Sequence, residues 1–375
     1  EGGTAIVAKA APLPSPGALL YPASAGGPDG AYVFAGLGAD GRGYRQVLRF
    51  EPEAGQWSSM LLARLPAGRA DGVLAPLADR RMLLFAGWTR DLLGPRGLTD
   101  LWTWSLDDLS FQPLTVDPGT APTFIRGAHA VDEVTGDLYL HGGIDAPPGL
   151  LGSVSNRFVR FQPAVPAFKT LGDGPGARFS HTLTWTPDGL LLYGGNSGEA
   201  VLGDLWRWTS SGGWVRLPGA SRPSQGHGAF WDEGARRLVV VGGMPSGGVA
   251  AWSEADGTWR TLSTLVPAIE GRLAVDPDAS LALFLWNGGG SGSLVGPALD
   301  AVAPVGGLPA NALAQVAYDR VMRRVLGFGG LDGDGRSPAA SWVLPQACPG
   351  ASASAASSAS TASWTEPRAA TFPWR

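Results

Sequence analysis

Leu190-Leu-Leu-Tyr-Gly-Gly195 is the stretch that decides the fold. A short apolar run closed by small residues reads as a strand covered on both faces, since a run of this length is too brief for an ordinary helix. The same run recurs as Tyr32-Val-Phe-Ala-Gly36, Met82-Leu-Leu-Phe-Ala-Gly87, Leu138-Tyr-Leu-His-Gly-Gly143, Leu238-Val-Val-Val-Gly-Gly243 and Val325-Leu-Gly-Phe-Gly-Gly330. A degenerate copy without glycines, Leu281-Ala-Leu-Phe-Leu-Trp286, fills the remaining gap. Counted at the final residue of each copy, the steps are 51, 56, 52, 48, 43 and 44 residues. A period near fifty is the mark of a repeat architecture, here of seven units.

Each unit carries two further signatures in register. Upstream of the Gly pair lies a polar-entered apolar segment, as in Arg126-Gly-Ala-His129, Arg178-Phe-Ser-His181, Gln225-Gly-His227 and Glu270-Gly-Arg272. An acidic turn follows it, such as Pro187-Asp-Gly or Trp231-Asp-Glu-Gly, and this turn chemistry predicts a hairpin. Downstream comes an aromatic doublet: Phe50 with Trp57, Trp104 with Phe111, Phe161 with Phe168, Trp208 with Trp214, and Trp252 with Trp259. The segments Asp100-Leu-Trp-Thr-Trp104 and Asp204-Leu-Trp-Arg-Trp208 agree at four of five positions, 104 residues apart.

Each unit therefore reads as four antiparallel strands. A single such sheet cannot cover both of its faces, whereas sheets stacked around an axis cover one another. Glycines fit where sheets converge on that axis, and aromatic rings fill the wider space outside. These three signatures resemble the kelch repeat over about residues 1–346. The resemblance implies an all-β, seven-bladed kelch-type β-propeller of four-stranded antiparallel blades. The first inner strand is expected near Ala18 to Tyr21, and Thr4 to Ala8 is expected to supply the outer strand of the last blade. Residues 347–375 form a second region: an Ala/Ser-rich linker from Ala351 to Ser363 and an extended aromatic C-terminal tail in which Trp364, Phe372 and Trp374 are candidate docking residues.

Composition excludes several classes. Charged residues make 16% of the 375 and the net charge is −4, which gives no basic excess for nucleic acid. The longest apolar runs, such as Leu281 to Trp286, fall far short of the roughly 20 residues that cross a bilayer. The single cysteine, Cys348, forms neither an intrachain disulfide nor a metal cluster. Glu1 in place of Met fits a processed chain, favouring an exported or organellar compartment over the cytosol.

The fold leaves function open. The copper-radical centre of galactose oxidase, similar in fold, needs a cysteine crosslinked to tyrosine, and Cys348 lies in the tail. Glu133, Asp137 and His141 match the Glu-x3-Asp-x3-His spacing of iron-dependent specifier proteins but span a hairpin turn, so no metal is expected there. Asp332-Gly-Asp334 lacks the later acidic ligand of a calcium loop. His129, His181 and His227 read as one position repeated in three inner strands, which favours a structural role. Arg69, Arg126, Arg178 and Arg272 recur at strand entry and point to one rim of the channel, either gripping a carboxylate or pairing with turn aspartates. The leading reading is a non-catalytic scaffold or recognition subunit of a multi-protein assembly, without cofactor or metal. The alternative is a protein that binds a small acidic sugar, or an enzyme like the sialic-acid mutarotases that share this repeat, with an arginine-lined channel mouth.

Overall fold

The computed structural model describes the chain from Ile6 to Leu344, apart from stretches of which 13–20, 146–151, 296–301, 307–314 and 329–339 are the longest. Cys348, Trp364, Phe372 and Trp374 lie outside the described residues, as do Glu133, Asp332 and Asp334. All regular structure is β, and no described helix is long and apolar enough to cross a membrane. Among the described residues the strands form seven sheets of four or five strands, with three two-stranded ribbons between them.

The sheets follow the repeat. In the fourth, Thr182–Thr186, Gly189–Asn196, Val201–Thr209 and Gly213–Arg216 pair antiparallel in chain order. The first strands of the other six are Ala23–Gly27, Val73–Leu77, Ala128–Val131, Gly228–Asp232, Gly271–Asp276 and Gln315–Asp319. Acidic residues shape the hairpin turns, where Asp132, Asp232 and Asp319 are buried and accept backbone N–H bonds from Val134, Ala235 and Val321. All five aromatic doublets are directly opposed pairs on the third and fourth strands. Trp104 stacks on Phe111 at 5.6 Å between centroids, and Phe161 meets Phe168 at 5.0 Å.

Alternation along each strand sends successive side chains to opposite neighbours. In the first sheet, Tyr32 and Phe34 pack against Leu74, Leu84 and Trp104 of the second, while Ala31 and Val33 pack against Leu326 and Phe328 of the seventh. Apolar clusters likewise join the second sheet to the third, the third to the fourth, the fourth to the fifth and the fifth to the sixth. The first strands of the sixth and seventh sheets are also in contact. The Gly pairs sit at these junctions: Gly143 N–H donates to the Arg178 carbonyl of the next sheet at 2.8 Å. At Gly194, φ is +63° and an added Cβ would lie 2.4 Å from the Ser224 carbonyl oxygen, so both conformation and space demand glycine.

Two expected boundaries move. The first inner strand is Ala23–Gly27 rather than Ala18 to Tyr21. The N-terminal strand beside Ala340–Leu344 of the seventh sheet is Lys9–Pro12, whereas Ile6–Val7 lies parallel to Val302–Gly306 as a fifth strand of the sixth sheet. Pro12 explains part of this: lacking an N–H, it suits an edge, which is where Lys9–Pro12 lies.

Candidate functional site: the axial cavity and its mouth

The residue after each Gly pair fixes the register of the inner strands. Trp88 bridges Ala70, Ile144 bridges Ile125, Asn196 bridges Phe179, and Met244 pairs with Gln225. Arg69, Phe124, Arg178 and Ser224 therefore share one position, and Asp71, Arg126, Ser180 and Gly226 share the position two residues on. The next residues are Gly72, Gly127, His181 and His227. This corrects two sequence expectations. His129 is not equivalent to His181 and His227 but lies two residues further along, level with Leu183 and Ala229. Arg126 is likewise two residues beyond the Arg69 and Arg178 position. The spacing of three between Arg126 and His129 matches that between Arg178 and His181, and concealed the shift.

Arg69 and Arg178 are buried, with 0% and 2% of their surfaces exposed. Each grips the aspartate that opens the repeated Asp-Leu-Trp-x-Trp segment of its own sheet. Arg69 donates to Asp100 at 3.0 and 2.8 Å, and Arg178 to Asp204 at 2.7 and 2.9 Å. Trp102 and Trp206 donate their indole N–H to the same carboxylates, and the arginines also donate to the carbonyls of Ala86 and Gly194. Burial raises the pKa of both carboxyls, but the guanidinium and indole hydrogen bonds outweigh it and hold them below the usual aspartate value. These two arginines thus tie the first and third strands of one sheet together and present nothing to a rim.

The histidines divide in the same way. His181 and His227, each 6% exposed, face back to the preceding sheet. The two rings of His141 and His181 hydrogen-bond through Nδ1 and Nε2 at 3.0 Å, and His227 Nε2 meets Thr182 Oγ1 at 3.0 Å. Burial holds His141 and His227 neutral, with pKa values lowered to about 3, and holds His181 well below its ordinary value. His129 differs. Its ring is open to the lumen while lying deep within the protein, whose bulk lowers its pKa to about 4 and keeps it an uncharged proton acceptor.

The lumen is a cavity of about 260 Å³ enclosed by the entries to the first six inner strands, with Ser24, Arg126, His129, Ser180 and Arg272 among its lining. Backbone bonds between sheets frame part of its mouth. Asp71 N–H donates to the Tyr21 carbonyl, Ser180 to Arg126, Gly226 to Ser180, and Gly271 to Gly226, each at 2.9 Å. The left-handed φ values of Tyr21 (49°), Asp71 (50°), Arg126 (55°), Ser180 (53°) and Gly226 (63°) belong to this arrangement. Only the unusual backbone lets one amide reach the neighbouring sheet, and it leaves the side chains at the opening.

Four charges converge on this mouth. Arg126 Nη2 donates to Glu270 Oε2 at 2.8 Å, joining the third sheet to the sixth, with both side chains 20% exposed. Gln225 Nε2 donates to the other oxygen, Glu270 Oε1, at 2.8 Å, and Asn196 Nδ2 donates in turn to Gln225 Oε1. Asp71 accepts from the Trp88 indole at 2.9 Å. Arg272 makes no ion pair among the described residues; its guanidinium reaches the carbonyl of Gly271 at 3.5 Å. Tyr21 registers all four charges: burial first and then Asp71 push its hydroxyl up to about 12, with Glu270 adding to the rise and both arginines opposing it. No group of three His, Cys, Asp or Glu side chains suited to a metal occurs among the described residues. Asp71 and Tyr21 are not among the sequence candidates, although Asp71 stands two residues after Arg69, and Glu270 shows in the sequence only as the polar entry to a strand whose unit lacks its glycines.

Comparison with known proteins bears on the fold. No family model matches the chain, and no curated protein matches it in sequence. Among solved structures, one titled "Structure of YjhT" superposes with a TM-score of 0.57 at 13% identity, covering 90% of this chain and 98% of the other. Since 1052 solved chains match, the likeness marks a widely used architecture. Together with the stacked four-stranded sheets, it identifies the chain as an all-β protein of β-propeller fold.

Proposed function

We propose that the chain is a seven-bladed kelch-type propeller, closed where Lys9–Pro12 completes the seventh sheet, and that its axial mouth binds a small acidic sugar. The observation that carries this reading is Arg272, a cation without a carboxylate partner among the described residues, facing a cavity whose other polar groups are already arranged. A lone cation inside a concave, partly desolvated wall attracts one carboxylate more strongly than it would at an open surface. Asp71, Ser24 and Ser180 line the same cavity and suit hydroxyl groups. One carboxylate with several hydroxyls is the description of a sugar acid. A volume of about 260 Å³ sits just below the usual range for small-molecule sites, roughly 300–1,000 Å³, and admits a monosaccharide rather than a peptide.

His129 extends the reading to chemistry. Exchange between the anomers of a sugar needs a proton removed from the anomeric hydroxyl and one delivered to the ring oxygen as the ring carbon–oxygen bond breaks, with both transfers reversed on reclosure. One imidazole can take the first proton and pass it to the ring oxygen. A neutral imidazole inside the cavity supplies that acceptor without any cofactor. The scaffold reading draws on the tail, which lies outside the described residues, and nothing at the mouth favours it.

Titration calorimetry with N-acetylneuraminic acid and galacturonic acid, against neutral galactose, tests the binding, and NMR exchange between anomeric signals tests the reaction. Binding of the acids alone, weakened about 10- to 100-fold in Arg272→Gln, is the expected result. Equal binding of galactose, or no binding of either acid, overturns the reading.

A further inference from the structure

We infer that Glu270 is a specificity-determining residue that masks Arg126, so that Arg272 is the cation a ligand meets and the mouth selects a monocarboxylate over a dianion. This deepens the acidic-sugar reading and rests on it for the nature of the ligand, but not for the masking itself.

The geometry is that of a built strap. Glu270 and Arg126 are 144 residues apart and belong to the sixth and third sheets, so their contact crosses the opening past the fourth and fifth. It can do so because the fifth sheet offers no side chain at its mouth position. A Cβ added to Gly226 would lie 2.4 Å from Glu270 Cγ and 2.7 Å from Glu270 Cβ, so the glutamate lies directly on that glycine. Both carboxylate oxygens are engaged, one by Arg126 and one by Gln225, and Asn196 holds Gln225 in turn. The strap therefore has a bed, two anchors and a brace, all within the frame of the mouth. Arg126 is also steadied from beneath, its guanidinium lying 5.6 Å from the centre of the Phe179 ring.

The electrostatic consequence is specific. With Glu270 in place, the pair contributes no net charge, and Arg272 alone favours an anion. A second carboxylate or a phosphate on the ligand would have to displace Glu270 or lie beside it, and like charges brought together in a partly desolvated site repel. Without that carboxylate, the mouth carries two cations against the single carboxylate of Asp71, and the penalty on a second negative charge of the ligand is relieved.

Two readouts test this in the intact chain, using Glu270→Gln, which keeps the shape and one hydrogen-bonding oxygen. The first needs no ligand: the rate at which phenylglyoxal modifies each arginine, followed by peptide mass spectrometry. Arg272 is expected to react about tenfold faster than Arg126 in the wild type, a ratio corresponding to one charge-assisted contact, with the two rates converging in Glu270→Gln. Arg126 reacting as fast as Arg272 in the wild type overturns the masking. The second is the affinity ratio of galacturonate, a monocarboxylate, to galactarate, a dicarboxylate. It is expected to fall by about tenfold or more in Glu270→Gln. A ratio unchanged within about twofold overturns the selectivity, since a tenfold effect is the least one lost ion pair should produce. If the wild type binds neither acid, the acidic-sugar reading fails, and the masking is then decided by the modification rates alone. Gly226→Ala serves as the second variant, because it displaces the strap without altering any charge; it is expected to raise Arg126 reactivity, and a wild-type rate there also counts against the strap.

Discussion

The second and fourth sheets carry an arginine at the same place and use it identically, whereas the third and sixth carry one slightly displaced and use it differently. Arg69 and Arg178 are buried and bidentate on an aspartate whose carboxylate also accepts from the indole two residues on, Trp102 or Trp206. Arg126 and Arg272 stand at the cavity, one paired across the opening and one without a carboxylate among the described residues. In a repeat protein, a residue that recurs in register serves the repeat. Departures from register are where a site is to be found.

The sharpest way to break that contrast is Arg178→Ala. It leaves Asp204 partly buried without its partner and should cost about 3–5 kcal/mol in denaturant unfolding, while Arg272→Ala should stay within roughly 0.5 kcal/mol of wild type. Equal losses would erase the distinction. Gly194→Ala comes next: left-handed backbone strain of roughly 1–3 kcal/mol adds to the contact with the Ser224 carbonyl, and the same unfolding curves should show a lower midpoint without altered ligand affinity. Arg272→Gln is predicted to weaken sugar-acid binding by about 10- to 100-fold at unchanged stability, as expected for loss of one charge-assisted hydrogen bond in a desolvated site.

The histidines give the smallest and most diagnostic effect. His227 has a folded pKa lowered to about 3, below its unfolded value near 6.5, so the unfolded chain binds the proton first. Its contribution is fully present above about pH 6.5 and is lost as pH falls towards 3. Urea midpoints should therefore drop between pH 7 and pH 5, and His227→Gln should flatten the slope by about 1.4 kcal/mol per pH unit at most, one proton's worth. An unchanged slope would mean that His227 is not held neutral by burial.

Much of the fold was legible because its causes are local. Gly pairs, acidic turns and aromatic doublets each act within one sheet or at the junction with its neighbour, so their spacing survives in the sequence. Asp100 and Asp204 are visible as a repeat, but recurrence alone leaves Arg69 and Arg178 open between a rim and pairing with aspartates, because sequence shows recurrence and not direction. The mouth was harder to read. Glu270 is joined to Arg126 across 144 residues, and no periodicity announces such a pair. His129 reads as equivalent to His181 because each stands three residues after an arginine, although the backbone shows it two residues out of step. Lys9–Pro12 was displaced by a few residues, since strands at the chain's start lack a Gly pair to anchor the count.

The amide bonds between sheets at the mouth also bear on how such a site can change. They are made by backbone alone, and Tyr21, Asp71, Arg126, Ser180 and Gly226 occupy equivalent left-handed settings along them. Aperture and chemistry are therefore separately adjustable. A setting can be exchanged for another side chain that accepts left-handed backbone, asparagine or aspartate most readily, without the opening growing wider or narrower. One backbone frame can thus accommodate a succession of different ligands through its exchangeable side chains, Gly226 excepted because Glu270 lies on it.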